Sequence, residues 1–271
     1  MSVTRWIRFR HGTEEHIGTL QESTIEVYSG NLFDHPRPLG RSIDLSAVRV
    51  LAPTRPGKFF ALWNNFHALC EKQGLTPPTE PMCFLKASTC VLDPDQAFHK
   101  PTCYDGRIAF EGELGVVIGR RCVDADEIAA QEAIFGYTCV NDLTAIDLLN
   151  REPAFVQWMR AKSFDGFGPI GPVIATGLDW RALRIRTLVD GVERQNYPAD
   201  DMILPPARVV SVLSREMTLL PGDVIACGTS LGVKTLRPGS TVEIAIDGIG
   251  TLRNSYAAQT RHAEQVPLPM C

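Results

Sequence analysis

Short apolar stretches bounded by glycine and proline recur along this chain, and they constrain its fold more than any other feature. MCFLK (82–86), AFEGELGVVIG (109–119), FGYTCVND (135–142), TLVDGVERQ (187–195), DVIACGT (223–229) and TVEIAI (241–246) each read as a strand. Asp190-Gly191, inside LVDGVE, is a strong hairpin signal. Residues 3–28 alternate apolar and polar in VTRWIRF, HIGTL and TIEVY, with turn residues at Gly12 and Gly18, which predicts a small β-meander. Pro36, Pro38, Gly40, Pro53, Pro56 and Gly57 mark residues 30–57 as a linker or boundary. Helical signals are few. LWNNFHALCEKQG places Leu62, Phe66 and Leu69 on one face and stops at Gly74, before Pro77-Pro78. The longest helix candidate spans 144–161, interrupted by Pro153. Many strands and few helices predict a β-rich α+β chain. Its expected division is a small N-terminal β-meander domain over residues 1–50 and a larger catalytic domain over 51–271.

Composition narrows the function. The 271 residues are 44% hydrophobic and carry a net charge of −4, with Lys and Arg scattered, so there is no basic footprint for nucleic acid. No apolar run approaches the roughly 20 residues that span a bilayer, and the charged N-terminus lacks a signal peptide's apolar core. The expectation is a cytoplasmic protein without membrane or nucleic-acid partners. The 8 cysteines stand singly, with no Cys-x-x-Cys pair, and read as reduced thiols, mostly buried.

Two motifs match without their structural context. Gly166-Phe-Gly168-Pro-Ile-Gly171 satisfies G-x-G-x-x-G, but Pro169 and Pro172 sit where a dinucleotide fold needs a helix, so a close-approach loop is expected. Gly228-Thr-Ser230-Leu-Gly232 satisfies G-x-S-x-G after a strand, with Asp247 and His262 downstream. A nucleophile elbow must run into a helix, whereas Pro238-Gly239 leads to another strand. A serine hydrolase is therefore the weaker alternative, and a non-catalytic binding module is another.

The chemistry concentrates elsewhere. Along a strand over 110–119, Phe110, Gly112, Leu114, Val116 and Ile118 share one face, and Glu111 and Glu113 project together from the other. Taken alone, Glu-x-Glu reads as two surface glutamates on a half-exposed strand. Asp142, where the apolar FGYTCVN stops, adds a third carboxylate, either at a strand end that builds a site or as a helix N-cap. Carboxylates held that close repel, and a divalent cation with oxygen ligands relieves them. Lys162, beside a glycine-rich loop, either completes an anionic pocket or is a solvated lysine. Thr229, after Gly228 in a tight turn, can offer hydroxyl and backbone N–H to a ligand.

Together, FEGELGVVIG, GYTCVNDLTAIDLL, WMRAKSFDGFGPIGPVI, DGVERQNYPADDMI, SREMTLLPGDVIACGTSLGV and GIGTLRN resemble the fumarylacetoacetate hydrolase family in order and spacing, over roughly residues 60–255. The resemblance implies a mixed β-roll, generally homodimeric. It implies one divalent cation, Mg²⁺ or Mn²⁺ with Ca²⁺ also suited, on Glu111, Glu113 and Asp142. It casts Lys162 as the active-site lysine and Gly228-Thr229 as substrate-binding. Ala61-Leu-Trp-Asn-Asn-Phe-His67-Ala68 stands where the family has a Gly-x-Asn-Tyr-x-x-His-Ala lid, which makes His67 the catalytic histidine.

The pattern is departed from in three ways. Cys70 stands where the glutamate pairing with the histidine belongs, and Glu71 follows one residue later, still an i, i+4 neighbour of His67. Trp63 replaces the lid asparagine, and Ile146 and Leu149 replace substrate-gripping Arg and Gln. The last of these argues against fumarylacetoacetate itself as the substrate. The implied reaction is hydrolysis of a carbon–carbon bond in a 2,4-dioxo acid, with isomerisation or decarboxylation of related acids as the alternative on the same carboxylates.

Overall fold

The computed structural model describes residues 2–258. One sheet of 12 strands dominates. From one edge its main path runs Asp34–Asp44, Thr24–Asn31, Glu14–Gln21, Thr4–His11, Gly168–Thr176, Ile134–Asn141, Gly112–Ile118, Val224–Ala226, Phe59–Trp63 and Met82–Lys86. Neighbours are antiparallel except Val224–Ala226 and Phe59–Trp63, which are parallel. The N-terminal meander joins this sheet through Thr4–His11, which pairs with Gly168–Thr176. A second sheet of 5 strands carries the hairpin Arg184–Val189 and Val192–Pro198, closed by Asp190 and Gly191 at φ 52° and 74°.

Register curls the large sheet into a roll. The strand after Met82–Lys86, Val91–Leu92, pairs in parallel with Gly168-Pro169 and so brings one end of the path back towards its middle. Residues opposite one another in a ladder share a face. Val117, Val224 and Phe59 therefore point to one side, as do Gly115, Ala226 and Ala61. That inner side is lined by Phe59, Ala61, Val117, Val140, Ile170, Ile174 and Val224. The larger core lies on the other side, where Leu114, Val116 and Ile118 meet Ile185, Ile244 and Leu252 of the smaller sheet. Gly112–Ile118 is buried along its whole length, which is why its apolar residues do not alternate cleanly with polar ones.

Several expectations are corrected. Residues 34–44 form an edge strand instead of a linker, and Arg49–Leu51 pairs with Thr4–His11. Pro36 and Pro38 are tolerated because an edge strand needs no N–H on its open side. Gly18 is mid-strand, not a turn: a Cβ there would meet the Glu26 carbonyl oxygen at 2.4 Å. Leu62 belongs to the strand Phe59–Trp63, and the helix is only His67–Gln73, ended by Gly74 at φ 65°. The stretch 144–161 is not the longest helix. It breaks into Thr144–Ala145, a turn of helix at Ile146–Leu149 and another at Trp158–Lys162. Thr144-Ala145 is taken by pairing with Ile108-Ala109, and Pro153 keeps the remainder from joining. The longest helix among the described residues is Pro206–Glu216, with proline in its first turn where no N–H is missed. No helix among the described residues is long and apolar enough to cross a membrane. The described cysteines are all free, Cys83 and Cys103 exposed and the other five buried.

Candidate metal centre

At one end of the roll the start of Gly112–Ile118, the end of Ile134–Asn141 and the turn after Val224–Ala226 meet. Asp142 N–H donates to the Glu111 carbonyl at 2.9 Å, which ties the two carboxylate-bearing segments together. One oxygen from each of Glu111, Glu113 and Asp142 lies within 4.8 Å of the others. Asp142 caps no helix; its side chain is buried among charges.

Glu113 is fully buried. Its Oε2 accepts from the Gly228 N–H at 2.8 Å, and its Oε1 has no partner among the described residues. Burial, then the neighbouring charges of Asp142 and Glu111, push its carboxyl well above the ordinary carboxylate range. Burial also opposes ionisation of Asp142, but Lys162 and Lys86 outweigh it and hold that carboxyl below its usual value. Lys162 Nζ donates to Asp142 Oδ2 at 2.6 Å and to Glu111 Oε2 at 2.7 Å. Burial alone would favour a neutral Lys162, yet Asp142, Glu111 and Glu113 raise it above its ordinary value, so it stays an ammonium. The solvated-lysine reading is set aside.

Lys86 is the residue that sequence reasoning missed. It is buried, and its Nζ donates to Asp142 Oδ1 at 2.5 Å, to the Phe167 carbonyl at 3.1 Å and to the Lys162 carbonyl. A lysine closing the apolar strand Met82–Lys86, two residues from Phe84 and so on its face, was the available signal. Thr144 Oγ1 donates to Glu111 Oε1 at 2.6 Å and orients that carboxylate.

The turn 228–230 is held from behind. Thr229 Oγ1 donates to the Gly112 carbonyl at 3.1 Å and accepts from Gln195 Nε2 at 2.8 Å. Gln195 Oε1 in turn accepts from Gly112 N–H at 3.0 Å, and Tyr197 OH donates to the Gly112 carbonyl. Gly112 is required by this crowding, since a Cβ would lie 2.0 Å from Thr187 Oγ1. Gly228, at φ 90°, spends its N–H on Glu113.

His67 opens its helix near this turn. Asn65, two residues earlier, donates to the Cys227 carbonyl at 2.9 Å. His67 and Glu71 are both exposed, and no hydrogen bond or ion pair joins them among the described residues. The structure thus gathers Glu111, Glu113, Asp142, Lys162, Gly228 and Thr229, and leaves the His67–Glu71 pair open. The two discounted motifs lack a helix. Gly168–Thr176 is a strand, Ser230 is buried in a loop, and His262 lies outside the described residues.

The donor set fits a hard divalent cation: three carboxyl groups converge, one of them fully buried with an oxygen that has no partner among the described residues, and only two ammonium groups stand against them. Comparison with known proteins agrees. The model of the fumarylacetoacetate (FAA) hydrolase C-terminal domain matches residues 58–256. The chain belongs to the fumarylacetoacetate hydrolase family. A second model, Rv2993c-like N-terminal, matches residues 4–53. A solved 2-hydroxyhepta-2,4-diene-1,7-dioate isomerase of Mycobacterium marinum is 34% identical, with TM-score 0.85 over 95% of this chain and all of that one. Fumarylpyruvate hydrolase of Pseudomonas aeruginosa, solved with Mn²⁺ and pyruvate, is 32% identical, with TM-score 0.69 over 78% of this chain and 92% of that one. The 4-hydroxyphenylacetate degradation bifunctional isomerase/decarboxylase of Salmonella dublin is 36% identical over 75% of this chain and 47% of that protein. The β-rich α+β fold of the family is the fold seen here.

Proposed function

We propose that this protein is a divalent-metal-dependent hydrolase that cleaves a carbon–carbon bond in an acylpyruvate. The observation carrying this reading is the convergence of Glu111 with the fully buried Glu113 and Asp142, three carboxyl groups against two lysines. Glu111, Glu113 and Asp142 would hold Mg²⁺ or Mn²⁺. When bound, the cation supplies Lewis acidity to the oxo and carboxylate oxygens of a 2,4-dioxo acid.

The reaction consumes one water. R–CO–CH₂–CO–COO⁻ and H₂O give R–COOH and CH₃–CO–COO⁻. His67 takes a proton from the water that attacks the acyl carbon. The bond from that carbon to the methylene breaks, and its electron pair passes into the enolate of pyruvate. Lys162 neutralises charge on the enolate oxygen, inside a site dry enough for that ammonium to count. Returning the proton to the methylene completes pyruvate. Lys86 keeps Asp142 ionised and fixed, and the Gln195–Thr229 pair holds the turn that presents Gly228 to Glu113.

A second reading is isomerisation or decarboxylation of 2-hydroxydienedioates or oxaloacetate. The likeness to the Mycobacterium marinum isomerase and the Salmonella dublin bifunctional enzyme favours it. Loss of acetylpyruvate's ultraviolet enol absorbance, on chelator-stripped protein with and without Mn²⁺, separates the two. Metal-dependent loss that is abolished in His67→Asn is expected. No loss with acetylpyruvate, but turnover of oxaloacetate or a 2-hydroxydienedioate, would overturn hydrolysis in favour of the second reading.

A further inference from the structure

Outward from the charged cluster, the inner face of the roll becomes aromatic. Trp63, Ala61 and Phe59 share a face with their ladder partners Met82, Phe84 and Lys86, so Phe84 and Met82 follow Lys86 along one side of the edge strand. Ala61 is level with Ala226, and Ala226 with Gly115. Two residues further along their strands, Trp63 and Glu113 reach the same end of the roll.

Trp158, at the start of the short helix that carries Lys162, completes the wall. Its ring stacks on Phe84 at 5.1 Å between centroids and 14° between planes. Trp63 meets Trp158 at 5.9 Å. Lys162 Nζ stands 5.7 Å from the centre of the Phe84 ring. The ammonium beside the carboxylates and the aromatic trio are thus contiguous. Phe84 and Trp158 are half-buried, and Trp63 is 36% exposed, so the wall is open to a ligand on its outer side.

We infer that this wall is the acyl-tail subsite, and that the substrates are 2,4-dioxo acids whose acyl group is apolar, preferably aromatic. The inference rests on the acylpyruvate reading above. A flat apolar tail leaving the charged end of the substrate runs onto the Phe84 and Trp158 rings and is desolvated there. A tail ending in a carboxylate would surrender hydration to three ring faces that accept no charge of its sign.

The test uses three probes on the Mn²⁺-loaded full chain: acetylpyruvate, benzoylpyruvate with a phenyl tail, and fumarylpyruvate with a carboxylate at its far end. Benzoylpyruvate is expected to exceed fumarylpyruvate in kcat/KM by about tenfold or more. Trp158→Ala should cut the benzoyl-to-acetyl ratio by about tenfold, and Trp158→Phe, which keeps a flat ring, should restore it to within about threefold. A preference for fumarylpyruvate, or equal losses on acetyl and benzoyl substrates, would overturn the subsite. If none of the three is turned over, the hydrolase reading falls by itself. Calorimetric affinities for the same compounds then decide the wall, and equal affinities for the benzoyl and fumaryl compounds would overturn it. A change of oligomeric state in Trp158→Ala, with the tail preference unchanged, would assign the rings to a second copy of this chain instead.

Discussion

Glu113→Gln separates the cost of the buried carboxylate from its purpose. In the metal-free protein three carboxyl groups face two ammonium groups, and Glu113, fully buried with one oxygen unpartnered among the described residues, is the one whose ionisation the site opposes. Glutamine keeps an oxygen for the Gly228 N–H, removes the ionisable group and puts an N–H donor where Oε1 finds no partner. A buried polar group left unpaired costs about 1–3 kcal/mol. The metal-free variant should therefore be more stable than the wild type by about that much, raising Tm by roughly 2–10 °C in a chain of this size. Metal reverses the order. A cation at a hundredfold its Kd stabilises the wild type by about 2.7 kcal/mol, and the variant, short of one anionic ligand, gains much less. Thermal melts of both proteins in EDTA and in excess Mn²⁺ should show the two Tm values crossing. A variant that melts lower in EDTA, or one that gains as much as the wild type from Mn²⁺, would refute the reasoning.

Lys86→Met leaves fully buried Asp142 with Lys162 as its remaining ammonium partner, and should cost about 3–5 kcal/mol in urea unfolding. Adding Asp142→Asn should recover part of that loss; simple additivity would show that the pair is not coupled. Gly112→Ala places a Cβ 2.0 Å from Thr187 Oγ1 and should destabilise by about 1–3 kcal/mol, partly restored by Thr187→Ala; an unrestored loss would place the strain elsewhere. Arg10 and Arg8 pull the Glu15 carboxyl down to about 2 from 4.5. Because the folded value is the lower one, this contribution to stability is complete above about pH 4.5 and is lost as pH falls towards about 2. Glu15→Gln should flatten chemical-denaturation stability across that window, and an unchanged slope would deny the arginines this role.

Much of the candidate site was legible because its signals are local. Glu111 and Glu113 share a face through the two-residue period of a strand, and Asp142 is conspicuous as a charge ending an apolar run. Lys86 was not legible, since the fact that matters is its contact with Asp142, 56 residues away, across the interior of a rolled sheet. The same holds for Gln195, whose role comes from Thr229 and Gly112 on other strands. The errors over 34–44 and at Gly18 share one cause. Proline and glycine report local backbone freedom, and whether that freedom serves a turn, an edge or a close approach depends on what packs alongside.

From its sequence alone, this chain is committed to a β-rich fold, to the Asp190-Gly191 hairpin and to a pair of glutamates facing one way, because periodicity and turn chemistry act within a few residues. Only the tertiary structure decided that those glutamates lie inside, that Asp142 meets them, and that Lys86, Lys162 and an aromatic wall surround them. The reason is physical. Burial and charge pairing are set by which strands a curled sheet brings together, and desolvation, absent from any isolated segment, turns three ordinary carboxylates into a cluster suited to a cation.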